Sequence, residues 1–234
     1  MGRVLLLVCF LMVFSGCGQR FGPYVYKSDT SPIFQIKSSP LVKTPKDDEV
    51  FKGSTKPVLR VRSVESQSES RVVYGSGSGF VVNRGGKTYI VTAYHVVSEA
   101  ILYEFLTHDR KPLEVEIAAL ILFPSLDAAL FEVTAISAKI APLEIGSYRA
   151  GAKVTALGYP KDGDYAETKG SSVRAKIEST APIEVGMSGG PVLDENKKAV
   201  GIVSMKVISD GEVKSILVNT DDVFYLLDTH QSHK

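Results

Sequence analysis

Beyond Pro57 the chain alternates short apolar runs with clusters of Gly, Pro, Asn and Asp. The runs Val58 to Val61, Gly79 to Val82, Thr88 to Thr92, Ala128 to Val133, Lys153 to Leu157, Pro191 to Leu193 and Val200 to Val207 are too short to bury a helix face, and turn formers bound them. They predict strands. Asn83-Arg-Gly-Gly86 and Asp194-Glu-Asn-Lys197 fall between such runs, and Gly211 follows Ser209-Asp210, so each predicts a hairpin turn. The segment Thr220 to Asp228 breaks the pattern. Thr220 predicts an N-cap, Asp221 and Asp222 suit the first turn of a helix, and Val223, Leu226 and Leu227 share one face. The pattern as a whole predicts an all-β protein with one short C-terminal helix and no internal repeat.

Before Pro57 the character changes. Arg3 precedes an unbroken apolar run from Val4 to Phe14, followed by Ser15-Gly16-Cys17, which gives a charged start, an apolar core and small residues at a cleavage point. About eleven apolar residues are too few to cross a bilayer as a helix, which needs about twenty, so export and cleavage are expected in place of a permanent span. The arrangement looks like a bacterial lipoprotein signal, with residues 1–16 as the leader. That resemblance implies acylation of Cys17 as the first mature residue. Phe14 stands where such signals more often carry Leu, and ordinary cleavage without lipid is the alternative. Residues 17–56 carry Pro23, Pro32, Pro40 and Pro45 among Ser, Lys and Asp, and read as a flexible tether.

Composition narrows the partners. Lys and Arg number 27 against 26 Asp and Glu, for a net charge of +1, which supplies no field to draw the chain to nucleic acid. Partners must come from a cleft, as peptides, or from the acyl chains on Cys17, as a lipid membrane. Of the two cysteines, Cys9 would leave with the leader, so no internal disulfide is expected and core burial must hold the fold. Metal and cofactor chemistry find no support, because a cysteine pair, a His-x-x-x-His helix and a phosphate-binding loop before a helix are all missing from the sequence. Gly75-Ser-Gly-Ser-Gly79 lacks the Lys of a phosphate loop and reads as a tight turn entering the strand at Phe80.

Three motifs carry chemistry, in chain order: Thr92-Ala-Tyr-His95, Ser125-Leu-Asp127-Ala-Ala-Leu130 and Gly186-Met-Ser-Gly-Gly-Pro191. Attack on a peptide carbonyl needs a hydroxyl nucleophile, an imidazole to take its proton, a carboxylate to hold the imidazole, and amide donors for the oxyanion. Ser188 would be the nucleophile, His95 the base and Asp127 the orienting carboxylate. The N–H groups of Gly186 and Ser188 would serve the oxyanion, and flanking glycines would let a substrate approach. Each motif also has a purely structural reading: a Gly-Gly-Pro turn, a surface imidazole, an Asp in a turn. Three together in one order favour the chemistry. His108, His230 and His233 lie in polar surroundings and read as surface groups, as does Asp109.

The order His, Asp, Ser is that of the chymotrypsin-like fold. From Pro57 to about Asp222 the chain resembles the trypsin-like serine peptidases, and within them the HtrA-like bacterial branch. The resemblance rests on Val61-Arg-Ser-Val64, Gly75 to Phe80, Tyr89 to His95, Leu157-Gly-Tyr-Pro160, the serine motif with Pro182-Ile183 before it, and Ala199 to Ser204. It implies two packed six-stranded antiparallel β-barrels, over about 57–145 and 146–234, with the site in the cleft between them. HtrA-like enzymes usually continue into PDZ domains, but the 46 residues after Ser188 are needed to finish the second barrel, so none is expected here. By position relative to Ser188, Pro182 and Ile183 should wall the primary pocket, and Ser204, Met205 and Lys206 should form the strand that pairs with substrate. With no acid at the pocket base, a small or medium apolar residue is expected before the cut, although Lys206 offers a partner for an acidic side chain. Met187 stands where zymogen-activated relatives carry Asp, so activation by a freed N-terminus is not expected. Two readings follow: an active envelope endopeptidase, and a latent peptide-binding or chaperone-like module with a collapsed oxyanion loop.

Overall fold

The computed structural model describes residues 24–27, 57–67, 72–137, 140–161, 163–173, 178–209 and 212–232. The leader, Cys17, the expected tether other than residues 24–27, and the expected turn at Gly211 lie outside the described residues.

Among the described residues, fourteen strands form two curled antiparallel sheets. The first contains Tyr24–Lys27 (β1), Val58–Gln67 (β2), Val72–Arg84 (β3), Lys87–Thr92 (β4), Leu102–Leu106 (β5), Pro112–Leu113 (β6), Val115–Phe123 (β7) and Ala128–Ile136 (β8), in the order β1-β7-β8-β4-β3-β2-β5-β6. The second contains Lys153–Gly158 (β9), Ala166–Ser171 (β10), Glu178–Ser179 (β11), Pro191–Leu193 (β12), Ala199–Ser209 (β13) and Glu212–Asn219 (β14), in the order β10-β9-β12-β13-β14-β11. The all-β class and the two-sheet architecture are as expected. The first sheet carries two short strands beyond six, and one of them, β1, lies within the segment read as a tether and pairs Tyr24 with Leu122 and Lys27 with Ala119.

Continuous apolar runs make sense in strands buried on both faces. Side chains alternate along a strand, and here the alternation divides them between two cores. Phe80 and Val82 of β3, Tyr89 and Val91 of β4, and Leu130 of β8 face the layer between the sheets, where they meet Leu157, Ile202, Val218 and Phe224. Their neighbours Val81, Ile90 and Phe131 face the interior of the first sheet with Leu59, Val61 and Phe105. Phe131 is the hub there, with Tyr103 and Phe105 set edge-on at 5.1 Å each. Val154, Ala156, Ile183, Met187, Val192 and Val203 fill the second interior.

The turn at Gly85-Gly86 is a two-residue hairpin between Arg84 and Lys87, with φ of 56° and 75°; both central residues need positive φ, which explains the paired glycines. At Asp194 the carboxylate accepts the N–H groups of Asn196 and Lys198, both at 2.9 Å, and shapes the second expected turn. The expected tight turn at Gly75–Gly79 is corrected: this segment is the middle of β3, paired residue for residue with β2. Its glycines answer to close approach. A Cβ on Gly77 would lie 2.5 Å from Val96 Cγ1, and one on Gly79 2.9 Å from the Val91 carbonyl.

The terminal helix, Thr220–Ser232 (α2), follows β14 directly and buries Val223, Phe224 and Leu227, with Leu226 partly buried. Its cap differs from expectation. The Thr220 hydroxyl donates to the Ala199 carbonyl at 3.1 Å, tying the helix to β13, while Asn219 Oδ1 accepts the Asp221 N–H at 3.0 Å. Asn219, one residue earlier, is therefore the side chain that satisfies an otherwise orphaned N–H of the first turn.

Candidate active site

His95 lies on a single helical turn, Tyr94–Val97 (α1), which leaves β4 through Ala93. Val96 and Val97 anchor the turn in the core while the imidazole stays 48% exposed. Asp127 ends a 3-10 turn, Pro124–Leu126, with its N–H on the Pro124 carbonyl and its backbone in the left-handed region at φ 54°. That conformation, uncommon outside glycine but tolerated by Asp, brings the carboxylate beneath His95 at the start of β8. Ser188 follows Met187, whose buried side chain packs into the second core.

The first sheet thus supplies the imidazole and the carboxylate, and the second supplies the hydroxyl. His95 Nδ1 lies 2.9 Å from Asp127 Oδ2 and 3.1 Å from Oδ1, and the His95 backbone N–H donates to Oδ1 at 2.9 Å. Ser204 Oγ donates to Oδ2 at 2.5 Å. Ser188 Oγ donates to the Ser204 carbonyl at 3.1 Å. The three residues singled out by the motifs are therefore linked through Ser204. Burial pushes the Asp127 carboxyl up, but the hydrogen bonds from the imidazole, from Ser204 and from the His95 backbone outweigh it and hold the group below the ordinary carboxylate value. It is an anion at neutral pH.

Ser204, expected only to contribute backbone to a substrate-pairing strand, has a side-chain partner that the sequence did not suggest. The β13–β14 pairing runs Val203 with Leu217, then Met205 with Ile216. Ser204 is the extra residue of a β-bulge, a device that re-aims one side chain and is frequent beside active sites. Nothing in the local sequence marks the bulge.

Among the described residues, the N–H groups of Gly186 and Ser188 donate to no acceptor, while the N–H groups between and after them are engaged: Met187 to the Glu184 carbonyl at 3.0 Å and Gly189 to Val203 at 2.7 Å. Gly186 and Gly189 take φ of 98° and 85°, conformations open to glycine. Of the expected pocket residues, Pro182 is exposed, Ile183 is buried in the second core, and Met205 and Lys206 are exposed on β13 beside Ser204. His108 is half-buried, near Tyr159 and Tyr165 at ring distances of 6.3 and 6.0 Å, so the expected fully solvated imidazole is corrected.

This fold, with this order of His, Asp and Ser across two sheets, defines a class. The profile of the family described as "Trypsin-like peptidase domain" matches residues 77–202, and the chain belongs to that family. Among curated relatives, the chloroplastic Protease Do-like 1 of Arabidopsis thaliana is 29% identical over 204 residues, covering 74% of this chain and 46% of the relative. The serine protease Do-like HtrA of Bacillus subtilis is 31% identical over 176 residues, covering 66% and 38%. The chain thus spans less than half the length of these relatives. The crystal structure of the Rv3671c protease from M. tuberculosis in its active form superposes with a TM-score of 0.61 at 27% identity, covering 74% of this chain and 81% of that one.

Proposed function

We propose that the protein is a serine endopeptidase in which His95, Asp127 and Ser188 form the catalytic triad. The observation that carries this reading is the Asp127 carboxylate bonded both to His95 Nδ1 and to the hydroxyl of Ser204, the residue that lies beside Ser188. Asp127, ionised at neutral pH, accepts the Nδ1 proton and so leaves Nε2 as the basic nitrogen. The Ser188 hydroxyl turns from the Ser204 carbonyl toward Nε2, gives up its proton and attacks the peptide carbonyl. The N–H groups of Gly186 and Ser188 receive the oxyanion. The tetrahedral adduct collapses as His95 passes the proton to the departing amine, and water, activated by the same imidazole, releases the acyl group.

The substrate is an extended peptide that pairs with β13 beyond Ser204, with Met205 and Lys206 at its side. Pro182 walls the primary pocket from its exposed position, with Ile183 buried behind it in the second core, and the absence of an acid among these residues directs the preference to a small or medium apolar side chain. Lipid on Cys17 holds the mature enzyme at an envelope membrane, because each buried methylene contributes about 0.8 kcal/mol and two acyl chains make the attachment stable. Replacement of Cys17 by Ser is expected to move the full chain from the membrane pellet to the supernatant.

A second reading, a latent module that binds peptides without cleaving them, has one observation in its favour: the Ser188 hydroxyl is engaged by the Ser204 carbonyl. Hydrolysis of an internally quenched peptide with Val before the scissile bond separates the two. Turnover by the full chain that Ser188→Ala abolishes supports the peptidase. Saturable binding of that peptide with no turnover in either chain supports the latent module.

A further inference from the structure

The peptidase reading assigns the oxyanion to the N–H groups of Gly186 and Ser188, and it leaves open what aims those groups. Across a trans peptide the carbonyl and the N–H point in opposite directions, so each N–H is aimed by whatever holds the carbonyl before it. The Val185 carbonyl accepts the Lys161 N–H at 2.7 Å and the Met187 carbonyl accepts the Gly190 N–H at 3.0 Å. These two bonds turn the Gly186 and Ser188 N–H groups the other way. The remaining carbonyls of the turn, those of Gly186 and Ser188, converge on one residue of the opposite sheet, Ser78.

Ser78 is fully buried in β3, and each of its polar groups is engaged. Its hydroxyl donates to the Gly186 carbonyl at 2.8 Å and accepts the Tyr159 N–H at 2.8 Å, and its backbone N–H donates to the Ser188 carbonyl at 2.7 Å. Its own carbonyl accepts the hydroxyl of Thr92 at 2.8 Å, three residues before His95. The fit leaves no slack: a Cβ on Gly189 would lie 2.2 Å from the Ser78 carbonyl oxygen and from Thr92 Oγ1.

We infer that Ser78 is a positioning residue for catalysis, whose hydroxyl fixes the Gly186–Met187 peptide, the link between the two peptides that carry the oxyanion donors, so that both donors stay aimed at the cleft in register with His95. The inference rests on the peptidase reading. Without the hydroxyl, the Gly186 carbonyl and the Tyr159 N–H lose their partner in a buried place, and that peptide is held only by the Met187 N–H on the Glu184 carbonyl at 3.0 Å, next to a glycine whose positive φ imposes little barrier of its own. The oxyanion site then has to be organised during the reaction, which costs transition-state stabilisation and leaves ground-state binding along β13 intact.

The test compares the full wild-type chain with Ser78→Ala on succinyl-Ala-Ala-Pro-Val p-nitroanilide, with the matching valine aldehyde as a reversible inhibitor whose hemiacetal oxygen occupies the oxyanion site. Deleting an oxyanion donor outright costs about 10²–10³ in kcat; loosening one is expected to lower kcat about ten- to a hundredfold, with KM within about twofold. The aldehyde inhibition constant should rise in step with the fall in kcat/KM. Thr220→Ala, which loses a buried hydroxyl bond at the helix start, should lower the melting temperature and leave kcat unchanged. Thr92→Val, which releases the Ser78 carbonyl, should shift kcat and aldehyde affinity in the same direction by a smaller factor, and it carries the test if Ser78→Ala does not fold. A folded Ser78→Ala with wild-type kcat, or a loss of rate with unaltered aldehyde affinity, overturns the role of Ser78. So does unaltered kcat in Thr92→Val when Ser78→Ala is unfolded. Failure of the wild-type chain to turn over this anilide or to react with a fluorophosphonate at Ser188 instead overturns the peptidase reading beneath it.

Discussion

Replacing Asp127 by Asn should damage the protein through a proton position more than through lost structure. Asp127 Oδ1 accepts the His95 backbone N–H at 2.9 Å, and Oδ2 faces both His95 Nδ1 at 2.9 Å and Ser204 Oγ. An asparagine is nearly isosteric, but its two ends differ. The amide NH₂ cannot sit at Oδ1, where it would oppose the backbone N–H, so it takes the Oδ2 place and donates toward Nδ1. The imidazole must then carry its proton on Nε2, the nitrogen that should accept from Ser188. A wrong tautomer in a triad of this kind costs about 10⁴ in kcat, about 5.4 kcal/mol at roughly 1.36 kcal/mol per tenfold. Steady-state cleavage of the anilide at pH 7 by Asp127→Asn, with circular dichroism to verify the fold, measures it. A well-folded variant within tenfold of wild-type kcat would refute the assignment of Asp127 as the group that sets the tautomer.

Other consequences are as direct. Gly189→Ala forces a side chain into the space held by the Ser78 carbonyl and Thr92 Oγ1 and onto a backbone with φ of 85°; a loss of about 4 kcal/mol or more is expected, read as failure to accumulate folded protein. Phe131→Ala removes the hub of the Tyr103 and Phe105 contacts and should cost about 3–5 kcal/mol, measured by urea denaturation. Because the folded Asp127 carboxyl titrates below its ordinary value of 3.8, its contribution to stability is complete above that pH and is lost as pH falls through the lower folded value. The melting-temperature gap between wild type and Asp127→Asn should therefore narrow below about pH 4, and a gap that stays constant from pH 6 to pH 3 would contradict the depression.

The fold and the candidate site were legible in the sequence to different depths. His95, Asp127 and Ser188 stood out because each sits in a short motif and the order of the motifs selects a fold. Seven strands, β2, β3, β4, β8, β9, β12 and β13, were visible in whole or part, since burial on both faces makes β3, β4 and β8 nearly continuous apolar runs, with paired glycines at the Gly85-Gly86 hairpin. By contrast, β5, β6, β7, β10, β11 and β14 coincide with none of the runs read as strands. Contacts between distant segments were not legible. The Ser204 hydroxyl reaches Asp127 through a bulge that depends on the β13–β14 register. The glycines from Gly75 to Gly79 look like a turn in one dimension, since the atoms they make room for, on Glu65, Val96 and Val91, arrive from elsewhere in the chain. Thr220 has the composition of a cap, but a nearby sheet carbonyl takes its hydroxyl and Asn219 does the capping. The pairing of Tyr24–Lys27 with β7 spans nearly a hundred residues of sequence, beyond the reach of any local pattern.

The central claim is that Ser188 is an activated nucleophile served by His95. The most direct test adds a fluorophosphonate to the full chain and to its Ser188→Ala and His95→Ala variants, and reads the covalent adduct by intact mass and peptide mapping. One adduct is expected, at Ser188, on the wild-type chain and none on either variant. A folded wild-type chain that stays unmodified, or labelling that survives the loss of His95, would contradict it.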